Sequence, residues 1–369
     1  MFRSTSIAAL SLAVLALPAH AVEAELKLNG YFAGSLRKLE THFEPQEDQW
    51  EGTNNASRIS LAGFVKNDYA RLFAAYDRGL RNDKNGIEQV RQVYAGVDTA
   101  YGQLLGGKKA SEYRLSGERL DPFYDTSVVG FNGLAQSEGA SYGLSNLSNG
   151  YSRNMIAYST PALFGMLRLN GAAFINDKSA PNDTEDYSGG GSLSLPGLGE
   201  DSSATVGAQY LKIRNPAAFA VGNPTRNELL GVGGSPGLST SYRAYAAYTM
   251  PRFSLGLSYE NVDVKAEPDP RQYLFAAGTY ALTDSIRVAA SYGHLAFKSG
   301  SPDLSGDGYS LGLFRKVSDS INTYIAARRV DLDGPGSSTS IAAGVSVNFD
   351  IKLYPFELFG GGDEEAVEE

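Results

Sequence analysis

The stretch SYRAYAAYTMPRFSLGLSYE, residues 241–260, decides the fold because its side chains alternate in polarity on both sides of a short break. Over residues 242–249, Tyr and Ala at every second position alternate with Arg, Tyr, Ala and Thr. Over residues 253–260, Phe, Leu and Tyr alternate with Ser, Gly and Glu. A period of two residues predicts β-strands, and the short connection that contains Pro predicts a hairpin between them.

The same alternation recurs along the chain and predicts sixteen strands in all. Short connections such as TPALF and TMPR alternate with long ones such as residues 38–56 and 110–152. This order predicts an antiparallel all-β fold with short turns at one end and long loops at the other. Beyond the opening hairpin, the strands are expected at residues 24–37, 57–65, 70–77, 90–98, 102–109, 153–160, 165–175, 188–195, 204–213, 272–281, 285–297, 308–316, 320–330 and 339–351.

Two environments fit strands with one apolar face. A soluble sandwich would bury that face against a second sheet. A membrane is favoured here because strands of about 9–11 residues cross a bilayer when tilted. Aromatic residues also stand at both ends of the apolar face, with Tyr242 and Tyr259 at one rim and Tyr248 and Phe253 at the other, as in membrane-interface belts. The opposite face is rich in Gly, Ser, Asn, Arg and Glu and would make a poor dry core.

Lipid offers no hydrogen-bond partners to the backbone, so strands within it must close into a barrel. The sequence therefore predicts a closed antiparallel transmembrane β-barrel of about sixteen strands, with the apolar face toward lipid and the polar face toward enclosed water. A barrel with that many strands leaves an aqueous channel rather than a filled interior.

The composition argues against several other functions. The net charge of -9 and the pI of about 5.0 do not suit a nucleic-acid partner. The 369 residues include no cysteine, which excludes a disulfide scaffold, a thiolate metal site and a cysteine nucleophile. His294 and Ser291 fall on opposite faces of one strand, which does not suit the nucleophile and base of a barrel lipase. We expect no enzymatic activity, no cofactor and no bound metal.

The two ends of the chain carry signals of their own. Residues 1–21 combine Arg3, the apolar run IAALSLAVLAL and a final Ala-His-Ala, which predicts a cleaved signal peptide. Residues 22–351 are expected to form the barrel, and residues 352–369 a C-terminal tail that ends in DEEAVEE.

Three segments resemble Gram-negative general diffusion porins: RQVYAGVDTAYGQLLGGKKASEYR at 91–114, DPFYDTSVVGFNG at 121–133 and RNMIAYSTPALFGMLRLNGAAF at 153–174. The opening LKLNGYFAGSL is similar to their first strand. The resemblance implies a sixteen-stranded homotrimer among outer-membrane lipids, with a third loop that folds into the barrel and narrows it. The chain departs from the family at its end, because VSVNFDI is followed by further residues where members commonly finish on Phe.

The 43-residue connection 110–152 corresponds to that third loop. Its acidic residues are expected to form one edge of the narrowest part, and cations on the polar strand face the other edge. Such a transverse field favours hydrated polar solutes over apolar ones. The family often carries Arg where Lys108 stands, and Lys grips a planar anion less well. The constriction residues predicted in this way are Arg37, Arg58, Arg91, Lys108, Arg153, Asp121, Asp125 and Glu138. Arg243, Arg287 and Arg328 share the polar face and extend the set of cations.

Three functions remain open at this point. The main hypothesis is a passive, water-filled porin for small hydrophilic solutes and ions. A substrate-specific channel would carry an aromatic slide or a saturable site, but the inward Tyr31, Tyr245 and Tyr324 fall on scattered strands. A structural or adhesive barrel would use its long loops for attachment and would not conduct.

Overall fold

A computed structural model describes the greater part of the chain, and the predicted signal peptide and most of the acidic tail lie outside the described residues. The described residues are 23–41, 49–80, 90–128, 141–145, 147, 151–175, 186–197, 199, 201–213, 219–220, 239–264, 268–298, 305–334 and 336–355.

Strands dominate the described residues. In chain order the strands are β1 (Glu23–Thr41), β2 (Gln49–Asn54), β3 (Arg58–Lys66), β4 (Ala70–Gly79), β5 (Val90–Thr99), β6 (Gly102–Lys109), β7 (Tyr151–Ser159), β8 (Leu167–Phe174), β9 (Asp186–Pro196), β10 (Ser203–Ile213), β11 (Phe219–Ala220), β12 (Ser239–Met250), β13 (Phe253–Val264), β14 (Arg271–Ala281), β15 (Ile286–Ala296), β16 (Gly306–Lys316), β17 (Ile321–Leu332) and β18 (Gly336–Pro355). A short helix, α1 (Glu112–Glu118), follows β6.

The strands form one closed antiparallel barrel. β2 has six residues and β11 has two, so sixteen of the eighteen strands are long, which confirms the predicted number. Each long strand pairs with two neighbours, and β1 closes the ring by pairing with both β3 and β18. Closure satisfies the backbone groups that an open sheet edge would expose to lipid.

The hairpin of β12 and β13, residues 241–260, exposes its apolar face. On β12 and β13, the side chains of Tyr242 and Leu257 are 48% and 45% exposed, whereas Arg243 and Glu260 are buried. On β16, Leu311 is 61% exposed, the largest value among these side chains. We call this exposed apolar side of the sheet the outer face and the opposite side the inner face. Within the described residues, no helix has the length and apolar character to cross a membrane.

The register of β5 and β6 decides the face that Arg91 and Lys108 occupy. Between β4 and β5 the pairing slips at Asp77, and the guanidinium of Arg91 lies 3.6 Å from the Asp77 carboxylate despite its outward parity. On β6, Lys108 lies opposite Val93, whose side chain is 41% exposed on the outer face. The prediction that Lys108 faces inward is therefore corrected. The pairing with β5 is unbroken over this stretch, so Lys108 shares the face of Leu104, which is 48% exposed on the outer face.

The inward cation of β6 is the next residue. The ammonium of Lys109 lies 4.9 Å from the centre of the Tyr94 ring, on the inner face. The pairing with β7 skips Lys108, and the residue before it, Gly107, has a φ of +132°. Glycine adopts this conformation without steric cost. The register with β7 shifts at this point, where residues 153 and 154 of β7 lie opposite Lys108.

Candidate functional site

The described residues of the connection between β6 and β7 contact side chains on the inner face of the sheet. We call its residues 111–128 and 141–145 the loop segment. Its first part is α1, which begins after Ser111, whose hydroxyl accepts a hydrogen bond from the Arg114 amide at 3.2 Å. Tyr113, Phe123 and Val128 are fully buried, so the loop segment has a packed core of its own against the strands.

One end of the loop segment is held by an ion pair between two strands. Arg243 on β12 lies directly opposite Glu260 on β13, with 2.7 Å between Nη2 and Oε2. Arg243 also donates to the carbonyl of Tyr113 at 2.8 Å. Glu260 accepts hydrogen bonds from the Tyr113 hydroxyl at 2.8 Å and the Ser145 hydroxyl at 2.6 Å. The pair therefore holds both the helix and the returning part of the loop segment.

The ion pair depends on these hydrogen bonds because it is excluded from solvent. The side chains of Arg243 and Glu260 are 0% and 1% exposed, and a buried pair repays its desolvation only when its remaining polar atoms are also satisfied. Burial, together with the nearby Glu260 carboxylate, raises the pKa of Tyr113. The phenol thus keeps its proton and remains a donor to Glu260.

A second ion pair holds the loop segment at Asp125, after the end of α1. The guanidinium of Arg58 on β3 lies 3.1 Å from the carboxylate of Asp125. It also stands over the ring of Tyr31 on β1, with 4.4 Å to the ring centre. Asp125 has a φ of 62°, a left-handed conformation that Asp adopts more readily than most residues. The two side chains remain 30% and 19% exposed, so water reaches this pair.

The residues after Asp125 contact three more strands. The Ser127 amide donates to the hydroxyl of Tyr324 on β17 at 3.1 Å. Arg37 on β1 donates to the Ser127 carbonyl at 3.0 Å. Ser340 on β18 donates to the Val128 carbonyl at 2.9 Å. Residues 125–128 are thus attached to the part of the wall where the first and last strands meet.

Glycines on three strands let the loop segment approach the wall closely. A Cβ atom at Gly293 on β15 would lie 1.6 Å from the carbonyl oxygen of Tyr142, and one at Gly308 on β16 would lie 2.4 Å from the Tyr142 Cβ. A Cβ atom at Gly256 on β13 would lie 3.1 Å from the Leu120 Cβ. The loop segment therefore touches the inner face at β12 and β13, at β15 and β16, and at β17, β18, β1 and β3.

Asp121 holds the loop segment together rather than facing solvent. It is 6% exposed, and its carboxylate accepts hydrogen bonds from the Ser141 amide at 2.6 Å, the Ser141 hydroxyl at 2.9 Å and the Phe123 amide at 3.0 Å. Burial raises the pKa of Asp121 to about 6, although these hydrogen bonds and the charge of Arg328 act in the opposite direction. The structure thus places Asp121 in the core of the loop segment, apart from the Arg58 and Asp125 pair.

The other predicted constriction residues lie in different surroundings. Arg37 forms an ion pair with Glu51 in addition to its contact with the loop segment, and Arg91 pairs with Asp77 on the wall. Lys108 donates to the Val90 carbonyl. Glu138 and the side chain of Arg153 on β7 lie outside the described part of the chain. Among the described residues, no group of three or more His, Asp or Glu side chains is arranged to hold a metal ion.

This architecture defines a class of protein: a closed antiparallel transmembrane barrel of sixteen long strands. A family model described as Gram-negative porin matches residues 7–335. The chain belongs to this family, which makes it an outer-membrane diffusion channel. No curated protein matches the chain.

Solved structures share the fold at low sequence identity. The anion-selective porin from Comamonas acidovorans is 14% identical, with a TM-score of 0.66 over 89% of this chain and 100% of that one. OmpF of Salmonella typhi, in a complex with daunomycin, is 13% identical, with a TM-score of 0.63 over 88% and 97%. The trimer form of OmpT, an outer membrane protein of Vibrio cholerae, is 17% identical, with a TM-score of 0.61 over 88% and 99%.

Proposed function

We propose that the protein is a passive, non-enzymatic porin for small hydrophilic solutes and ions, and that the loop segment crosses the barrel interior and forms the narrowest part of the water-filled channel. The observation that carries this proposal is the pair of attachments of the loop segment. One attachment is to the Arg243 and Glu260 pair on β12 and β13, and the other is to Arg58, Arg37 and Tyr324 near the closure of the barrel. A segment joined to the inner face at such separated strands narrows the passage between them.

Arg58 and Asp125 are the charges that we assign to the constriction. Both are partly exposed, unlike the fully buried Arg243 and Glu260, so passing ions meet their field. Arg37, Arg91 and Lys109 extend the cationic wall, and we keep Arg153 and Glu138 as further members of the constriction. Asp121 serves to fold the loop segment.

The test is the reversal potential of the purified protein in a planar bilayer under a KCl gradient. We expect Arg58→Ala to shift selectivity toward cations and Asp125→Asn to shift it toward anions, because a unit charge at 4 Å changes an ion's energy by about 1 kcal/mol even in water. Arg329→Gln is the control, since Arg329 pairs with the exposed Asp331 away from the loop segment. Unchanged selectivity in both test variants would rule out this constriction.

The same recording separates the alternatives. Large ohmic current steps support a diffusion channel, whereas a structural or adhesive barrel gives no conductance. Arg153→Ala in the same assay tests whether Arg153 belongs to the constriction. We also propose a homotrimer, in keeping with the trimer form of the Vibrio cholerae protein, and cleavage of residues 1–21 during export. Mass spectrometry of the purified protein measures both.

A further inference from the structure

A cavity of about 430 Å³ lies between residues 122–126 and the wall, beside the short turns that end β14 and β16. Its volume falls in the range of about 300–1,000 Å³ that is typical of small-molecule sites. Aromatic rings and charged groups line it together. The aromatic lining residues are Tyr31, Tyr124, Phe314 and Tyr324, and the charged ones are Arg287, Arg315, Lys316, Asp125 and Asp284.

Three of these side chains form a continuous row across adjacent strands, which we call the wall row. Arg287 on β15 lies directly opposite Phe314 on β16, and Phe314 lies directly opposite Tyr324 on β17. The Phe314 and Tyr324 rings are stacked, with 5.8 Å between centres and 29° between planes. The guanidinium of Arg287 lies 4.9 Å from the centre of the Phe314 ring.

Close packing against glycines and hydrogen bonds to the Tyr324 hydroxyl orient the rings of the wall row. A Cβ at Gly344 would lie 2.4 Å from the Tyr324 ring, and one at Gly312 would lie 3.1 Å from the Phe314 ring, so both rings rest against bare backbone. The Tyr324 hydroxyl accepts hydrogen bonds from the Asn55 side chain at 3.0 Å and the Ser127 amide at 3.1 Å. The rings are therefore held in place before any ligand arrives.

The wall row presents one cationic group, the guanidinium of Arg287, beside its two aromatic rings. Asp125 is paired with Arg58, and Lys316 is paired with Asp319 at 2.6 Å. Arg315 alternates with the inward Phe314 and shares the outer face with Leu311 and Leu313. Arg287 therefore supplies the guanidinium group of the wall row, and the carboxylate of Asp284 lies in the turn before β15. Arg287 is exposed and its described contact is the face of Phe314, with no ion pair among the described residues. A guanidinium group offers a planar fork that matches a carboxylate.

We propose that this cavity is a saturable binding site for a small planar aromatic carboxylate. The carboxylate accepts hydrogen bonds from Arg287, and the aromatic ring lies against Phe314 and Tyr324. The site rests on the proposed function in one respect, since a solute reaches it from the channel that the loop segment narrows. Tyr31 and Tyr124 complete the aromatic lining on the side of the barrel closure and of the loop segment.

Benzoate is the probe, and two independent measurements test the site on the full-length protein. Saturation-transfer NMR in detergent measures binding without requiring conductance. Current recordings in a planar bilayer measure how far the current falls as the benzoate concentration is raised. We expect saturable binding of benzoate that Arg287→Gln weakens at least about tenfold, the loss of roughly one charge-assisted hydrogen bond. Phe314→Leu should remove the preference for benzoate over cyclohexanecarboxylate. Arg329→Gln should leave both measurements unchanged.

Several results would overturn the proposal. These are equal binding of benzoate to Arg287→Gln and to the unaltered protein, competition by acetate as strong as that by benzoate, and binding of benzylammonium as tight as that of benzoate. The first and second would leave only a general attraction of anions, and the third would assign the cavity to aromatic cations. Failure of the constriction is distinguishable, because it would remove the effect of Arg58→Ala on reversal potential while NMR binding of benzoate to the wall row persisted.

Discussion

Arg243 and Glu260 face each other across the β12–β13 hairpin and form an ion pair that is almost wholly excluded from solvent. Both residues also bind the loop segment. Arg243 donates to the Tyr113 carbonyl, and Glu260 accepts hydrogen bonds from the Tyr113 and Ser145 hydroxyls. The pair thus connects the wall of the barrel to the element that we propose as its constriction.

Glu260→Ala should loosen the loop segment while the barrel persists. It removes the carboxylate partner of the buried Arg243 and two acceptor contacts of the loop segment, and such losses cost about 3–5 kcal/mol. Hydrogen exchange should show faster exchange of amides in residues 112–118, and bilayer recordings should show noisier current. Asp331→Ala is the matched control, because it breaks an exposed arginine pair instead. Unaltered exchange in residues 112–118 would mean that the ion pair does not hold α1.

The buried Asp121 should make the loop segment sensitive to pH. Its folded pKa of about 6 lies above the ordinary value of 3.8, because burial disfavours the charged form. Between these two values the folded protein binds more protons than the unfolded chain, so its stability falls as the pH rises through this window and is constant above it. Protection factors for residues 120–128, corrected for intrinsic exchange, should therefore be higher at pH 4.5 than at pH 7.

Asp121→Asn is the variant that isolates this effect. The amide is neutral at every pH, so protection of residues 120–128 should become nearly independent of pH between 4 and 7. If the unaltered protein showed no difference over that range, or if the variant retained the full difference, the titration of Asp121 would not be its cause.

The outer face should reject charge where the inner face accepts it. Leu311→Arg places a guanidinium group near the middle of β16, at the most exposed position of that strand's apolar face, and an arginine at the bilayer midplane costs about 2–4 kcal/mol. We expect a lower yield of folded barrel in lipid vesicles, measured by its resistance to denaturation in cold detergent. Asn29→Arg, on the inner face of β1 opposite Asp350, should fold as well as the unaltered protein. Equal folding of both variants would contradict the assignment of the two faces.

Period-two alternation was sufficient to predict the barrel and its faces. Residues 241–260 form one hairpin, their apolar side chains are exposed, and the predicted sixteen strands are present. The prediction works because alternate residues of a strand face lipid and enclosed water, which require opposite polarities. The alternation is therefore visible in the sequence of each strand by itself.

The site could be predicted only in part, because it depends on register and closure. Which of Lys108 and Lys109 faces inward depends on the pairing with β5, where Lys108 lies opposite the exposed Val93. Arg243 has the expected inward parity, but its function as an anchor requires knowing that Glu260 lies opposite. Tyr31 and Tyr324 belong to strands far apart in the chain, yet both line one cavity because β18 brings β1 and β17 together. The short helix α1 carries no apolar stripe long enough to be recognised from the sequence.

The central claim is that Asp125 on the loop segment lies in the path of permeating ions, and the absence of cysteine from the chain allows a direct test. Asp125→Cys and Leu311→Cys each introduce a single thiol, and a positively charged methanethiosulfonate reagent is added while current is recorded through an open channel. The account predicts a lasting decrease in current for Asp125→Cys and none for Leu311→Cys, with labelling verified by mass spectrometry. An unchanged current through fully labelled Asp125→Cys channels would contradict it.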